Sequence, residues 1–480
     1  MWPVVSLGEI ADVKLGKMLD KAKHQTGHKF PYLRNINVRW GTVDTGNVFE
    51  MHFEDDQVER FGLRAGDVLV CEGGEPGRAA VWNGHVPQMK FQKAIHRVRF
   101  NVPFEARLLV YLLESLAKSG NLERRFTSST IKHFTREAFV QLPIPLPPLP
   151  EQRRIVAEIG KQFTRLEVGV AALRRVQANL KRYRAAVLKA ACEGRLVPTE
   201  AALARQRLTT ENTKGTKTKQ GGSSSSFLSS VSFVVQNSGY ETGEALLARI
   251  LTERRQNWQG RGQYKEPAAP KTADLPILPE GWTWATAQQL NLANRPCAYG
   301  VLQPGEDVPG GVPFVRVGDI NNGKVELANM KRISTTIAAQ YPRTKLHGGE
   351  LAITLVGAIG RTAIIPDSLA GGNTARAVGI IPLTKQANAH WIEIWFRNPT
   401  KNAEMDSKSH EVARKTLNLE DVRVASVALP PLAEQTRIVA EVERRLSVVE
   451  ELESVVTANL RRGTRLRQSI LQRAFAGQIC

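Results

Sequence analysis

The sequence predicts an α+β fold in which two mixed α/β domains are separated by two long antiparallel coiled-coil helices, arranged as a tandem pseudo-symmetric duplication. Three observations predict it. Shifted by 283 residues, Leu146–Glu158 (LPPLPEQRRIVAE) falls on Leu429–Glu441 (LPPLAEQTRIVAE) with 11 of 13 positions identical, a repeat of long period. The same shift lays Leu63–Asp67 on Leu346–Glu350, and Gly74, Gly77, Arg78 and Ala80 on Gly357, Gly360, Arg361 and Ala363, while a shift of 282 lays Pro31–Arg34 on Pro313–Arg316. Each LPPL element is followed by a heptad seam of apolar residues.

Residues 1–145 read as the first domain, with short β-rich runs such as Asp67–Val70 set among glycines and prolines. Trp2 and Ile10 find rough counterparts in Trp282 and Leu290. Residues 146–197 read as a helix. Pro147 and Pro148 stand before it because proline is excluded from a helix interior. Val156, Phe163 and Val170 then alternate with Ile159, Leu166, Leu173, Leu180 and Val187, and Gly194 stands where a C-cap belongs. About 45 residues at roughly 1.5 Å each make a rod of roughly 70 Å. In the 198–279 linker, the low-complexity stretch Thr209–Ser226 is expected to be flexible. Glu244–Trp258 is expected to be an amphipathic helix with Leu247, Ile250, Leu251 and Trp258 on one side, and Tyr264–Pro279 an extended strap. Residues 280–428 repeat the first domain, with Leu351–Thr354 and Thr362–Ile365 as strands. Residues 429–480 repeat the helix, with Val439, Leu446 and Leu460 alternating with Val442, Val449, Val456 and Ile470 before Gly477. Gly463 falls opposite Leu180 and is expected to weaken the seam there. Either helix alone would expose its stripe, so the two are expected to pack on each other.

The charge balance points to a partner. Lys and Arg number 66 against 46 Asp and Glu, a net +20 in 480 residues. The excess is +4 over 1–146, +7 over 147–198, +4 over 199–279, +3 over 280–428 and +2 over 429–480. A surplus spread over every segment suits a long polyanion touching several parts of the molecule, nucleic acid before a membrane surface. Cys71, Cys192, Cys297 and Cys480 are scattered, with neither disulfide nor metal-ligand spacing, which fits a reducing compartment. Glu9 and Asp12 interrupt any signal-peptide core, and no apolar run reaches about 18 residues. The expectation is a soluble, cytoplasmic protein.

Catalytic motifs do not account for the chain. It contains no GxxxxGK[ST], GxSxG or HExxH, and its Pro-Pro pairs lack the Asn/Asp and aromatic flanks of amino-methyltransferases. His24 and His28 stand four apart but among Lys21, Lys23 and Lys29; Asp367, Asp406 and Lys408 match a metal nuclease only loosely. No catalytic or metal site is expected. Two similar but diverged domains on a rigid double rod would read two different short sequences on one double-stranded DNA, with half-site centres about one turn, roughly 10–10.5 bp, apart.

This organisation resembles the specificity (S) subunits of type I restriction–modification systems. The resemblance rests on the two LPPL-x-EQ-x-RIVAE elements, the two terminal helices, LRAGDVLV…GRAA (63–80) with LHGGELAI…GRTA (346–363), and Trp282-Thr-Trp284 after Pro279-Glu-Gly281. It covers the chain except 205–240, and the 199–279 insertion departs from the family pattern. The resemblance implies target-recognition domains at 1–145 and 280–428 and spacer helices at 146–197 and 429–480. It implies a non-catalytic subunit that binds two methyltransferase (M) subunits and directs adenine-N6 methylation. Restriction (R) subunits, two in number, would add ATP-dependent cleavage. S-adenosylmethionine, ATP and Mg²⁺ then belong to the partners, with no cofactor in this chain. Ile159, Leu166, Leu173, Leu180, Val442, Val449 and Val456 mark the spacer helices as partner-docking elements.

Side chains that suit guanine, adenine or phosphate mark the candidate DNA contacts. In the first domain they are Arg34, Asn35, Asn37, Arg39, Arg78, Gln92, Lys93 and Lys132; in the second, Arg316, Asn321, Asn322, Arg361, Asn373, Arg376 and Lys415. Arg34/Arg316 and Arg78/Arg361 are shared by both halves and so suit phosphate or structural roles. Gly74, Gly77, Gly357 and Gly360 are expected to serve turns. Other readings are an S-type subunit of a type IIB-like system with a fused nuclease–methylase, a coiled-coil scaffold without a DNA role, and a self-contained nuclease.

Overall fold

The computed structural model describes residues 2–18, 27–127, 132–215, 240–260, 262–409 and 415–478. They form two compact units, residues 1–177 with 454–480 and residues 178–453. The two long helices, Leu149–Cys192 and Leu432–Phe475, each contribute one end to each unit.

In the first unit, Val4–Ser6 pairs with Pro143–Pro145 and ties the start of the domain to its end. A four-stranded antiparallel sheet runs in the order Ala11–Leu15, Ile95–Phe100, Val68–Cys71, Ala79–Val81, with Val98 opposite both Val13 and Val68. The helix Ala106–Lys118 buries Leu109, Val110, Leu112 and Leu113 in a core with Val13, Val68, Val98, Phe134 and Phe139. A second sheet joins Phe49–Phe53, His28–Leu33 and Lys90–Phe91, the last pair parallel, over a core of Leu33, Phe53, Trp82 and Phe91.

The second unit repeats this topology strand for strand. Thr283–Thr286 pairs with Ser426–Leu429; a four-stranded sheet runs Ala298–Tyr299, Val378–Ile381, Leu351–Thr354, Thr362–Ile364; a three-stranded sheet joins Arg332–Ile333, Val312–Val315 and Asn373–Thr374, again with one parallel pair. Its helix Ala389–Arg397 packs Trp391, Trp395 and Phe396 inward, and the two indoles donate to the carbonyls of Ala428 and Ser426, each at 2.9 Å. The duplication read from sequence is therefore present as structure.

The repeated glutamine explains why each long helix starts where it does. Gln152 donates to the Pro147 carbonyl at 2.8 Å and accepts from the Glu105 amide at 2.8 Å. Gln435 makes the same two bonds to Pro430 and Asn388, also at 2.8 Å. Each amide thus satisfies a main-chain carbonyl that the Pro-Pro break leaves over and pins the domain to the helix. At the far ends, Gly194 and Gly477 take φ of +66° and +74°. Arg195 and Gln478 donate back to the Ala190 and Arg473 carbonyls, the left-handed closure that favours glycine.

Within each unit the helix ends pair antiparallel. In the first, Ile155, Ile159 and Phe163 pack with Ile470, Leu471 and Ala474. Gly463 does not loosen this seam as expected: a Cβ there would stand 3.1 Å from Val170, so its missing side chain permits close approach. In the second, Val187, Leu188 and Ala191 share a core with Ile438, Val439, Val442 and Leu446. One ion pair is built twice, Arg467 with Glu167 at 3.1 Å and Arg184 with Glu450 at 3.9 Å, at positions related by the 283-residue shift.

The linker joins the second unit. Glu200–Gly215 is helical, so Thr209–Gly215 continues a helix within the stretch read from sequence as low-complexity; residues 216–226 of that stretch lie outside the described residues. Glu434, buried at the head of the second long helix, accepts from the Glu200 amide at 2.9 Å and from the Trp282 indole at 2.9 Å, while Arg437 pairs with Glu200. The amphipathic helix spans Gly243–Gln256 with Leu246 and Ile250 innermost. Leu247 and Leu251 are half-buried, so the apolar face is turned by one position from that expected.

Candidate nucleic-acid interface

The two domains present one main-chain frame with different side chains. In the first, the Gln92 and Lys93 amides donate to Leu33 and Lys17, Glu72 donates to Ala94, and Phe134 donates to Glu72. In the second, Ala375 and Arg376 donate to Val315 and Val301, Leu355 to Ala377, and Leu417 to Leu355. Residue for residue, Lys93 therefore stands where Arg376 does, Gln92 where Ala375 does, and Glu72 where Leu355 does. By the same shift His133 matches Thr416. In the second domain this frame borders a groove of about 980 Å³ lined by Tyr299, Leu302, Arg316, Lys331, Arg376 and Thr416 among others.

Two cations at equal positions on different surroundings suit a shared polyanion contact, and the divergent neighbours suit selection. Lys93 and Arg376 are exposed, and their amides are fixed to the frame. Burial raises the Glu72 carboxyl above its ordinary range, with His133 and Lys93 pulling it back. In the second domain apolar Leu355 replaces that carboxylate.

The candidate residues divide by their bonds. Arg34 lies 3.7 Å over the Phe49 ring and donates to the Asn47 carbonyl at 3.0 Å. Arg316 chelates Asp319 through Nε and Nη2 at 3.1 and 2.9 Å. Arg78 spans Glu75 and the Asn35 carbonyl, and Arg361 reaches Asn321 at 3.0 Å. Asn35 donates to the Gly73 carbonyl at 3.3 Å, and Lys132 and Lys415 are paired with Glu123 and Asp406. Asn37 and Asn373 are buried and bonded inside the fold. Asn37 holds the Arg34 amide and the Asp44 and Asn47 carbonyls; Asn373 holds Thr344, Thr374 and Tyr341. Asn322 is exposed at φ +49° and its carbonyl accepts from Arg397, while Arg39 is exposed and Gln92 half-buried. Of the second-domain set, Arg316 and Arg376 line one groove; Asn322 lines a different one beside Arg397 and Glu450.

Sequence reading missed Glu72, His133, Tyr299, Leu302, Lys331 and Thr416. The signal for Glu72 and His133 was present, because the shift that pairs Gly74 with Gly357 also pairs them with Leu355 and Thr416. Asp406 and Lys408 form no paired site: Lys408 is bonded to Glu404 at 2.8 Å and Asp406 to Lys415.

The spacer residues singled out from the heptads turn inward. Ile159, Leu180, Val442, Val449 and Val456 are buried and Leu166 and Leu173 half-buried, so they close the seam rather than offer it to a partner. The apolar side chains left exposed on the first helix are Val168, Val176 and Tyr183, and on the second Val448, Leu452, Val455 and Leu466. No helix among the described residues is long and apolar enough to cross a membrane.

The chain thus carries one α+β module twice, each with a cation at the same place of its main-chain frame and each followed by a long helix. The family profile described as "Type I restriction modification DNA specificity domain" matches residues 1–169 and 305–453. The type I restriction enzyme EcoBI specificity subunit of Escherichia coli is 30% identical over 487 aligned residues, covering 100% of this chain and 86% of that protein. The EcoKI specificity subunit of Escherichia coli strain K12 is 24% identical over 366, covering 73% and 61%. A solved chain from work on the "Structural basis underlying complex assembly and conformational transition of the type I R-M system" superposes with a TM-score of 0.60 at 18% identity, covering 99% of this chain and 98% of the other, a likeness of fold. The chain belongs to the family of type I restriction–modification DNA specificity subunits.

Proposed function

We propose that this chain reads a bipartite, asymmetric site on double-stranded DNA without catalysing a reaction itself. It directs two methyltransferase subunits to adenine N6 and, with restriction subunits, ATP-dependent cleavage, in the cytoplasm. The observation that carries the reading is the identical main-chain frame bearing Lys93 beside Gln92 and Glu72 in one domain and Arg376 beside Ala375 and Leu355 in the other. A shared cation supplies phosphate contact, and different neighbours give different half-sites, so the whole site lacks a palindrome. The long helices set the distance between half-sites, and their exposed apolar residues meet the methyltransferase subunits. S-adenosylmethionine, ATP and Mg²⁺ are held by those partners.

Single-molecule sequencing of host DNA with and without the gene tests this. Loss of N6-methyladenine at one bipartite asymmetric motif is the expected result. Methylation unchanged at every motif, beside an expressed methyltransferase partner, overturns it.

A further inference from the structure

Because the two units repeat one topology, a surface covered in one and bare in the other stands out. In the second unit the helix Gly243–Gln256 lies across the ribbon Thr283–Thr286/Ser426–Leu429. Its Leu246 and Ile250 are buried in a core with Leu290 and Leu429. The approach is close: a Cβ on Gly243 would run into the Leu429 carbonyl, and the Gly243 amide donates to Gly281 at 2.7 Å.

The equivalent place in the first unit is fixed by matching bonds. Thr286 is capped by Gln289 at 2.8 Å as Ser6 is by Glu9 at 2.9 Å. Thr384 donates to Leu290 at 2.9 Å as Asn101 donates to Ile10 at 3.0 Å. Thr283 lies opposite Leu429, and Leu146 donates to Pro3 at 2.8 Å. Pro3, Ile10 and Leu146 thus correspond to Thr283, Leu290 and Leu429. In the first unit these residues, with Val102, Pro103 and Pro148, line a groove of about 390 Å³. Leu429 and Pro431 are buried, whereas Leu146 is half-buried and Pro148 exposed; Val4, on the neighbouring strand, is 63% exposed. Among the described residues no helix covers this groove.

We propose that the groove between Pro3, Val102 and Leu146 docks an amphipathic helix from a protein partner, of the same chemistry as the helix that fills its counterpart. That chemistry is a small residue at the first position, for the approach to the Leu146 carbonyl, and large aliphatic residues three and seven positions later. The occupant is a partner rather than a second copy because this chain's own such helix is spent in the second unit, where Leu246 and Ile250 are already buried. The proposal does not rest on DNA reading, since the groove shares no lining residue with the basic frame.

The test uses the full chain and a labelled peptide of residues 240–258 as the probe, with a photo-crosslinking amino acid at Val102. Saturable binding, crosslinking at Val102, and at least a tenfold loss with the peptide carrying Leu246→Asp and Ile250→Asp are expected. Val102→Arg and the milder Val102→Ala should weaken binding in that order while circular dichroism stays unchanged. Absence of saturable binding, or binding without crosslinking at Val102, overturns the proposal. So does a dimer by light scattering in which Val102 crosslinks to residues 243–256 of another copy, which would make the occupant a second copy.

Discussion

Replacing Arg467 by methionine should destabilise the first unit far more than replacing Arg184, although the two arginines occupy equivalent places in the repeat. Arg467 donates to Glu114 through Nε at 2.7 Å and Nη2 at 3.3 Å, touches Glu167, and lies 3.8 Å over the Phe163 ring. The Glu114 side chain is only 4% exposed. Removing its partner strands a buried carboxylate, which costs about 3–5 kcal/mol for a fully buried pair. Because Arg467 is itself 28% exposed, the lower end, about 3 kcal/mol, is expected. Arg184 instead meets Glu450 and Glu453, whose side chains are 37% and 30% exposed, so its loss should cost about 0.2–1 kcal/mol. The shift places Arg397, not a carboxylate, at the position of Glu114, so neither carboxylate paired with Arg184 is a buried one that its loss would strand. For a unit of roughly 200 residues, 3 kcal/mol corresponds to a fall in Tm of about 6–12 °C, against about 0.4–4 °C for Arg184→Met. Calorimetry on the two single variants, with Arg467→Met/Glu114→Met as a third, measures this directly. The double variant should recover most of the loss. Equal shifts for Arg467→Met and Arg184→Met, or no recovery, would refute the reasoning.

Burial holds the His96 imidazole below its ordinary value of 6.5, with Nε2 2.7 Å from the Phe134 carbonyl. The unfolded chain therefore takes up this proton first, so its contribution is complete above pH 6.5 and is lost as pH falls towards the depressed value. The loss has a slope of at most about 1.4 kcal/mol per pH unit; His96→Gln should flatten urea midpoints measured between pH 7 and pH 5, and an unchanged slope would count against it. Lys93→Ala and Arg376→Ala should each weaken DNA binding by the partner-loaded complex across all sequences and lower the salt slope by about 1, read by titration at several salt concentrations; loss confined to one sequence would contradict a phosphate role. Deleting Val168–Arg174, about two turns, should change half-site spacing or abolish binding while leaving each half-site preference intact; an unchanged spacing in the methylation motif would show that the helices do not set it.

Much of this architecture was legible because repetition was. A repeat of 11 identities in 13 marked both helix starts, and the glutamine inside it proved to be the residue that pins each domain to its helix. Heptad positions gave the seam but not its outer face, since periodicity states which residues are apolar and not how many sides a helix has covered. Polar residues were harder still. Asn37 and Asn373 look like base readers in sequence, yet both satisfy main-chain groups inside the fold, a demand created only by the tertiary path. Glu72 and His133 went unnoticed because only the comparison of the two frames singles them out.

The paired glutamine sockets carry a consequence for how such a chain changes over time. Each domain enters and leaves through the same ribbon, and at each junction the glutamine of the helix that follows bonds only to main-chain atoms. This socket reads backbone rather than side chains and so accepts any insert whose ends fall in the right place, whereas the Arg467–Glu114 bond reads a side chain of the insert. The near-identical stretches around the sockets also supply matching borders for exchange. A domain then approaches a cartridge: the socket takes a replacement whole, and the few side-chain bonds to the helices, Arg467–Glu114 among them, are what the replacement has to match.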